Sequence, residues 1–426
     1  MADQITNYKC PACTGPLQFK GSSGQMECEY CGSTYGVDEI EKLYEEANDK
    51  AVDAKAKADA KDGEVDWEYT SSEWKEDGIK AYNCPSCGAE LLCDDNTAAG
   101  SCPYCGNPTV VPGQFAGTLK PDFVVPFKLD KEHAISALKS HYKGKPLLPK
   151  SFTDGNHIEE IKGVYVPFWL YDGTSDGNVL FEATKSHSRR RGKEEVTITE
   201  YYDVVRAGNM AFEKIPADAS SKMPDDLMDS IEPYDYKDMK PFSKAYLTGY
   251  MADKYDVEAK DNAGRAITRA TESTKRAFER DIQGFDTISV KKANINVEQG
   301  KVSYAMMPVW MLNTKWNGQD YLFAMNGQTG KMVGDLPSDK KKAATIAAII
   351  LLVITALAYF AFEASFMGAL IAGAIVAGIV TLVLNSMMKS VALATEADNY
   401  LDDGSVKITH RAQRFTHKTE TTRTVD

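Results

Sequence analysis

Two apolar runs near the end of the chain dominate its hydrophobic pattern. AATIAAIILLVITALAYFAF starts at Ala343, FMGALIAGAIVAGIVTLVLNSMM ends at Met388, and Glu363-Ala364-Ser365 separates them. Each run is about 20 residues, and a rise of about 1.5 Å per residue carries it across a hydrocarbon core of about 30 Å. Three residues make only a tight turn, so the pattern predicts an antiparallel transmembrane hairpin over 343–388. Lys340, Lys341 and Lys342 precede it and Lys389 follows it. The positive-inside rule then places both termini in the cytoplasm and Glu363 on the far side, a two-helix multi-pass protein of the cytoplasmic membrane. The Ala and Gly content also permits a shallow hairpin resting in one leaflet. Gly368, Gly373 and Gly378, with Ala369 and Ala374, give the second helix a small-residue face for packing on the first helix or on a second copy.

Upstream, the period shortens to that of strands. Tyr165–Tyr171 and Ala305–Leu312 each hold a Pro-x-Trp in an apolar strand. Each is expected to turn into a second strand, at Asn178–Ala183 and Tyr321–Met325. Phe123–Leu129, Val196–Val205 and Ile288–Val297 are further strand candidates. Lys131–Tyr142 and Asp256–Asp281 read as helices, the second with an apolar stripe at Ala259, Ala263, Ile267, Ala270, Ala277 and Phe278. These elements form an α+β cytosolic domain with hairpin repeats over 113–337. A charged helical spacer covers 39–80 and a polar cytosolic tail 389–426. The tail's basic stretch suits either an anionic leaflet or an edge strand on the cytosolic domain.

Cysteine spacing supplies the chemistry. Cys10 and Cys13 are followed by Cys28 and Cys31, and Cys84 and Cys87 by Cys102 and Cys105, each set closing on a glycine. Paired CxxC knuckles aim four thiolates at one centre, the tetrahedral sulfur shell of structural zinc. Two small four-cysteine zinc ribbons are therefore expected, at 1–38 and 81–112, holding two structural Zn2+. A closed thiolate shell leaves no open position for catalysis. Cys93, the ninth cysteine, reads as a small apolar side chain of the second ribbon.

The formal net charge of −12 disfavours a general polyanion binder. The second ribbon, Tyr82–Val111, has three acidic residues and no Lys or Arg, so protein contact suits the ribbons better than phosphate contact. The stretch 1–30 lacks a secretory signal pattern. The six histidines, His133, His141, His157, His187, His410 and His417, form no metal-ligand pair. Asn326–Lys331 resembles the end of a phosphate-binding loop, but Met325 and Met332 stand where that loop needs glycine and a hydroxyl, so it reads as a hairpin turn. Arg189–Arg191 reads as a solvated loop, since Glu194 and Glu195 follow at once. No catalytic set emerges, and the chain is expected not to be an enzyme.

YKCPACTGPLQF, MECEYCGSTYG, YLTGYMADKYDV and FAMNGQTGKMVGDLP together resemble the bacterial transcription-factor-IIB-type zinc-ribbon-containing membrane proteins. Some of these carry a label as the primosomal helicase PriA, which the absence of a complete phosphate-binding loop does not support. The resemblance implies a link to the phage-shock envelope-stress system of bacilli, with a phage-shock protein A-like or flotillin-like partner. The sequence thus points to a membrane-anchored adaptor; the alternative is a membrane-tethered nucleic-acid-binding or regulatory protein.

Overall fold

The computed structural model describes residues 17–28, 32–40, 68–69, 73–74, 79–84, 90–94, 102–104, 111–113, 118–153, 158, 160–191, 194–361 and 365–424. Most of the expected spacer lies outside them.

Four long strands organise the described chain: β1 (Lys162–Arg191), β2 (Glu194–Asp218), β3 (Thr287–Trp316) and β4 (Lys407–Thr424). Their order is β3-β1-β2-β4, all antiparallel, within a 13-stranded sheet. At about 3.3 Å per residue, the 30 residues of β1 would extend about 100 Å.

Of the two expected hairpins, the first is not formed. Tyr165–Tyr171 and Asn178–Ala183 belong to one continuous strand, with only a register shift between Tyr171 and Gly173. Ile288–Val297 and Ala305–Leu312 likewise fuse into β3. The polar stretch between the apolar runs is the solvent face of a strand covered on one side, not a turn. Ser175, Val179, Phe181 and Ala183 are buried on one face, whereas Thr174, Asp176 and Asn178 are exposed on the other. The two Pro-x-Trp segments become neighbours, with Tyr165 opposite Pro308 and Pro167 opposite Met306. The second expected hairpin is formed: after Trp316 the chain turns back onto Gln319–Asn326, with Trp310 opposite Met325 and Leu312 opposite Phe323.

Near the base both faces of this sheet are covered. Tyr165, Trp169 and Tyr171 face a cluster that includes helix α2 (Ala259–Arg280), while Val164, Val166, Phe168 and Leu170 face one that includes Met223–Tyr234. Trp169 Nε1 donates to Val257 O at 2.8 Å and Tyr171 hydroxyl to Ala259 O at 2.6 Å, so both buried aromatics satisfy their polar atoms. Further out, Ser186–Thr199 and Ser188–Thr197 hydroxyl pairs line an exposed blade. Arg189, Arg190 and Arg191 sit in this ladder opposite Val196, Glu195 and Glu194, a strand rather than the loop expected.

The helix α1 (Lys131–Tyr142) forms as expected, capped by Asp130, which accepts from His133 N at 2.9 Å. Helices α3 (Lys340–Ala361) and α4 (Phe366–Ser386) are long and apolar enough to cross a membrane. Ala369, Gly373 and Ala377 are the buried face of α4. A Cβ on Gly373 would stand 2.5 Å from Thr355 Oγ1 and 3.0 Å from Leu351 O, so glycine permits the helices to touch. Gly378, expected on that face, has open space around it.

Candidate functional site

Three of the eight expected zinc ligands are described: Cys28, Cys84 and Cys102. Cys10, Cys13, Cys31, Cys87 and Cys105 lie outside the described residues. Cys28 ends the strand Gln25–Cys28, is buried, and its backbone closes a turn. Gly32 N donates to Cys28 O at 2.8 Å and Cys28 N to Ser33 O at 2.9 Å, with Gly32 at φ +69°. That left-handed backbone is what the glycine after the second knuckle supplies. Cys84 directly follows the strand Ile79–Asn83, and Cys102 opens a turn; both are buried in one apolar cluster with Leu91 and Tyr104. Buried thiols at strand ends and tight turns fit a thiolate-held zinc.

Segments of both expected ribbons contact the stretch Tyr246–Asp253. Phe19 packs edge-on to Tyr246, ring centres 5.1 Å apart. Gln18 lies against Gly249. Tyr250 stacks on Phe127 at 4.1 Å and 6°. Gly21 runs so close to the Phe127 carbonyl that a Cβ there would strike it. Immediately afterwards, the strand Met251–Asp253 pairs antiparallel with the strand Glu90–Asp94 of the second expected ribbon, Ala252 opposite Leu92 and Asp253 opposite Leu91. This stretch belongs to YLTGYMADKYDV, one of the segments that carry the family resemblance. It forms a docking strip for the described segments of both expected ribbons.

A cleft of about 310 Å³ lies beside the second contact, lined by Glu90, Lys222, Asp253, Lys254, Tyr255, Asp256 and Glu258. Asp253 is buried there, accepting from Ser220 Oγ at 2.5 Å and Lys254 N at 3.0 Å. Burial pushes its pKa up to about 7, the hydrogen bonds opposing.

The segment leaving the hairpin is clamped onto α2. The Arg269 guanidinium forms two hydrogen bonds to Glu232, at 2.5 and 3.0 Å, and donates to Pro216 O at 2.8 Å and Glu396 O at 2.9 Å. Tyr400 hydroxyl donates to Glu232 at 2.8 Å. Ala394 N donates to Asp229 at 3.0 Å and Ala397 N to Ser273 Oγ at 2.7 Å. Arg276 and Arg280 pair with Glu396 and Asp398. Burial raises the pKa of Glu232, with Arg269 opposing that shift. The ion pair is buried yet nearly every donor is used, the condition under which such a pair is tolerated.

The same clamp leads into β4, which pairs with β2 from Asn209↔Lys407 to Glu194↔Thr424. Arg411 grips Asp281 with bonds at 2.7 and 2.8 Å, and Arg414 reaches Asp203 at 3.1 Å. Of the two arrangements open to the basic tail, the edge strand is formed.

Asn326 Oδ1 accepts from Gln328 N and Thr329 N, both at 2.9 Å, and its Nδ2 donates to Ile231 O at 3.0 Å. Those amides are turned inward, so Asn326–Lys331 is the hairpin turn expected and not a phosphate cradle. Among the described residues no group of three or more His, Cys, Asp or Glu is placed to hold a metal. Sequence reasoning alone finds neither the docking strip nor the clamp. The clamp has a signal: Asn262, Arg269, Ser273 and Thr274 fall inside the buried stripe of α2, at spacings where a solvated helix would put apolar residues.

No family model matches the chain, and no solved structure matches it. It is similar to the uncharacterized protein YdjG of Bacillus subtilis (strain 168), with 32% identity over 340 residues that span 80% of this chain and 92% of the relative. At that identity and coverage, this chain belongs to the family of YdjG.

Proposed function

We propose that the protein is a non-enzymatic, membrane-anchored zinc-ribbon adaptor that assembles cytosolic partners at the inner face of the cytoplasmic membrane. The observation that carries the membrane part is the apolar surface of the hairpin. Leu352 is 70% exposed, Phe360 80% and Leu382 72%, in helices of mean hydropathy 2.5. A contiguous apolar surface of that extent is stable in lipid and not in water. Both hairpin flanks lie on one side: Leu336 N donates to Met388 O at 2.8 Å, and Ser390 N to Asp335 at 2.8 Å. The hairpin therefore enters and leaves from the face that carries the body.

The adaptor part rests on the ribbons. Eight cysteines in two matched sets provide two closed zinc shells, and the docking strip fixes both modules to a body that is itself fixed to the hairpin. Structural zinc would be held by Cys10, Cys13, Cys28 and Cys31, and by Cys84, Cys87, Cys102 and Cys105, and would supply folding energy to modules too small for their own core. Zinc-ribbon membrane proteins of the envelope-stress type are the finer family to which we assign the chain, and phage-shock protein A-like or flotillin-like proteins are the partners to seek.

The test is cross-linking in membranes, detergent solubilisation and affinity purification of the full chain. Specific protein partners should be recovered with wild type and lost with Cys10→Ser or Cys84→Ser at equal recovery of the chain. Recovery of no partner, or of the same partners with both variants, would sink the proposal.

A further inference from the structure

We propose that the turn following α1, Lys143–Lys150, forms with the lysines flanking the hairpin a surface that binds the anionic headgroups of membrane phospholipids. The inference rests on the membrane reading of the hairpin. The residues of this turn are far from the hairpin in sequence and, with the end of α1, touch it at both ends. His141 Nε2 donates to Gly334 O at 2.8 Å, just before α3. Asp339 N donates to Leu147 O at 2.9 Å and Lys342 Nζ to Leu148 O at 2.6 Å. Lys145 Nζ donates to Met387 O, at the end of α4. One turn thus bridges the entrance and exit of the hairpin, where headgroups lie once the helices are in a bilayer.

Its charge is opposite to that of the chain as a whole. Lys139 lies in the last turn of α1, Lys143, Lys145 and Lys150 in the turn, and Lys340, Lys341, Lys342 and Lys389 flank the hairpin that the turn bridges, in a protein of net charge −12. The carboxylates in this hydrogen-bonded set are Asp335 and Asp339. Asp335 accepts from Ser390 N and Val391 N, and Asp339 from Lys341 N and Lys342 N. They cap backbone turns and leave the surplus positive. Lys139, Lys143, Lys150, Lys340, Lys341 and Lys389 are exposed. Leu147, Leu148 and Phe152 are buried beneath the turn, so the ammonium groups project from an anchored element. An ammonium is a compact point charge suited to phosphodiesters, and its attraction to an anionic leaflet acts within a Debye length, which this placement satisfies.

The full chain is reconstituted in nanodiscs of phosphatidylcholine alone, of phosphatidylcholine with phosphatidylglycerol, and of phosphatidylcholine with added inorganic phosphate. Lysine acylation is then followed by mass spectrometry. The chain enters all three discs, and acylation of Lys139, Lys143 and Lys150 slows by about threefold or more only with phosphatidylglycerol. Equal rates with and without phosphatidylglycerol overturn the headgroup surface while leaving the hairpin standing. Equal protection by inorganic phosphate makes it a free-anion site and overturns the lipid assignment. Failure to enter any disc overturns the hairpin reading and this inference with it.

Discussion

The body is gripped on two sides in different ways. On the membrane side, one short polar segment after the hairpin is held by Arg269 and Glu232, a buried ion pair that bonds Glu396 O and the Tyr400 hydroxyl, by its own backbone amides bonded to Asp229 and Ser273, and by a whole added strand. On the side of the expected ribbons, the described contacts include a ring edge, a glycine approach, a two-residue ladder, and the burial of Leu17, Phe19, Met26 and Cys28 in the same apolar core cluster as the body. The first joint is polar and directional. The second, among the described residues, is mainly apolar. In the adaptor proposed above, the stiff polar joint would keep the body aligned with its membrane anchor, and the apolar joint would hold the recognition modules in place.

Arg269→Ala strikes the stiff joint hardest. It strands Glu232 in a buried site and should cost about 3–5 kcal/mol, read by urea unfolding of the detergent-solubilised full chain. A cost no larger than that of an ordinary surface substitution would mean that the clamp does not hold the joint. Gly21→Ala tests the apolar joint. The new methyl meets the Phe127 carbonyl, so the expected cost is about 1–3 kcal/mol, with the first ribbon cut faster by limited proteolysis while the hairpin flanks stay protected. Loss of protection at both joints together would erase the contrast.

Asp253 gives the ribbon side a pH signature. Its folded pKa of about 7 lies above the ordinary 3.8, so between those values the folded chain holds a proton that the unfolded chain releases. The stability from this group is complete below 3.8 and is lost as pH rises from there through about 7. Asp253→Asn should flatten the fall of stability over that range by up to about 1.4 kcal/mol per pH unit, compared with wild type in the same unfolding series. An unchanged slope would show that the carboxyl is ionised throughout. The smallest effect is expected at Arg411→Gln. That arginine is exposed, so losing its pair with Asp281 should leave the unfolding midpoint nearly unchanged and β4 protected in hydrogen exchange.

How much of this is legible in the sequence depends on the range of the interaction. The hairpin, α1 and α2 are local patterns, and they appear where periodicity and caps put them. The two long strands β1 and β3 are legible only in pieces, because a strand covered on one face reads as apolar, then polar, then apolar, the pattern also produced by a turn. The resemblance segment around Tyr246–Asp253 marks the right place without its reason, which is visible only when Phe19, Gln18 and Leu91 arrive from elsewhere in the chain. The tail is undecided from sequence for a similar cause. Arg411 finds Asp281, 130 positions earlier, and Arg414 finds Asp203, 211 positions earlier. No local rule relates residues so far apart.

The central claim, a membrane-held body whose zinc-bearing ribbons recognise protein partners, is tested most directly by removing the metal. The full chain is purified in detergent with its partners bound and treated with a zinc chelator, with metal content and bound partners measured together. The account predicts about two zincs per chain at the start, and partner release in step with zinc loss while the chain remains in the detergent-bound fraction. Partners that stay bound after the zinc is gone, or a chain that carries no zinc, would contradict it.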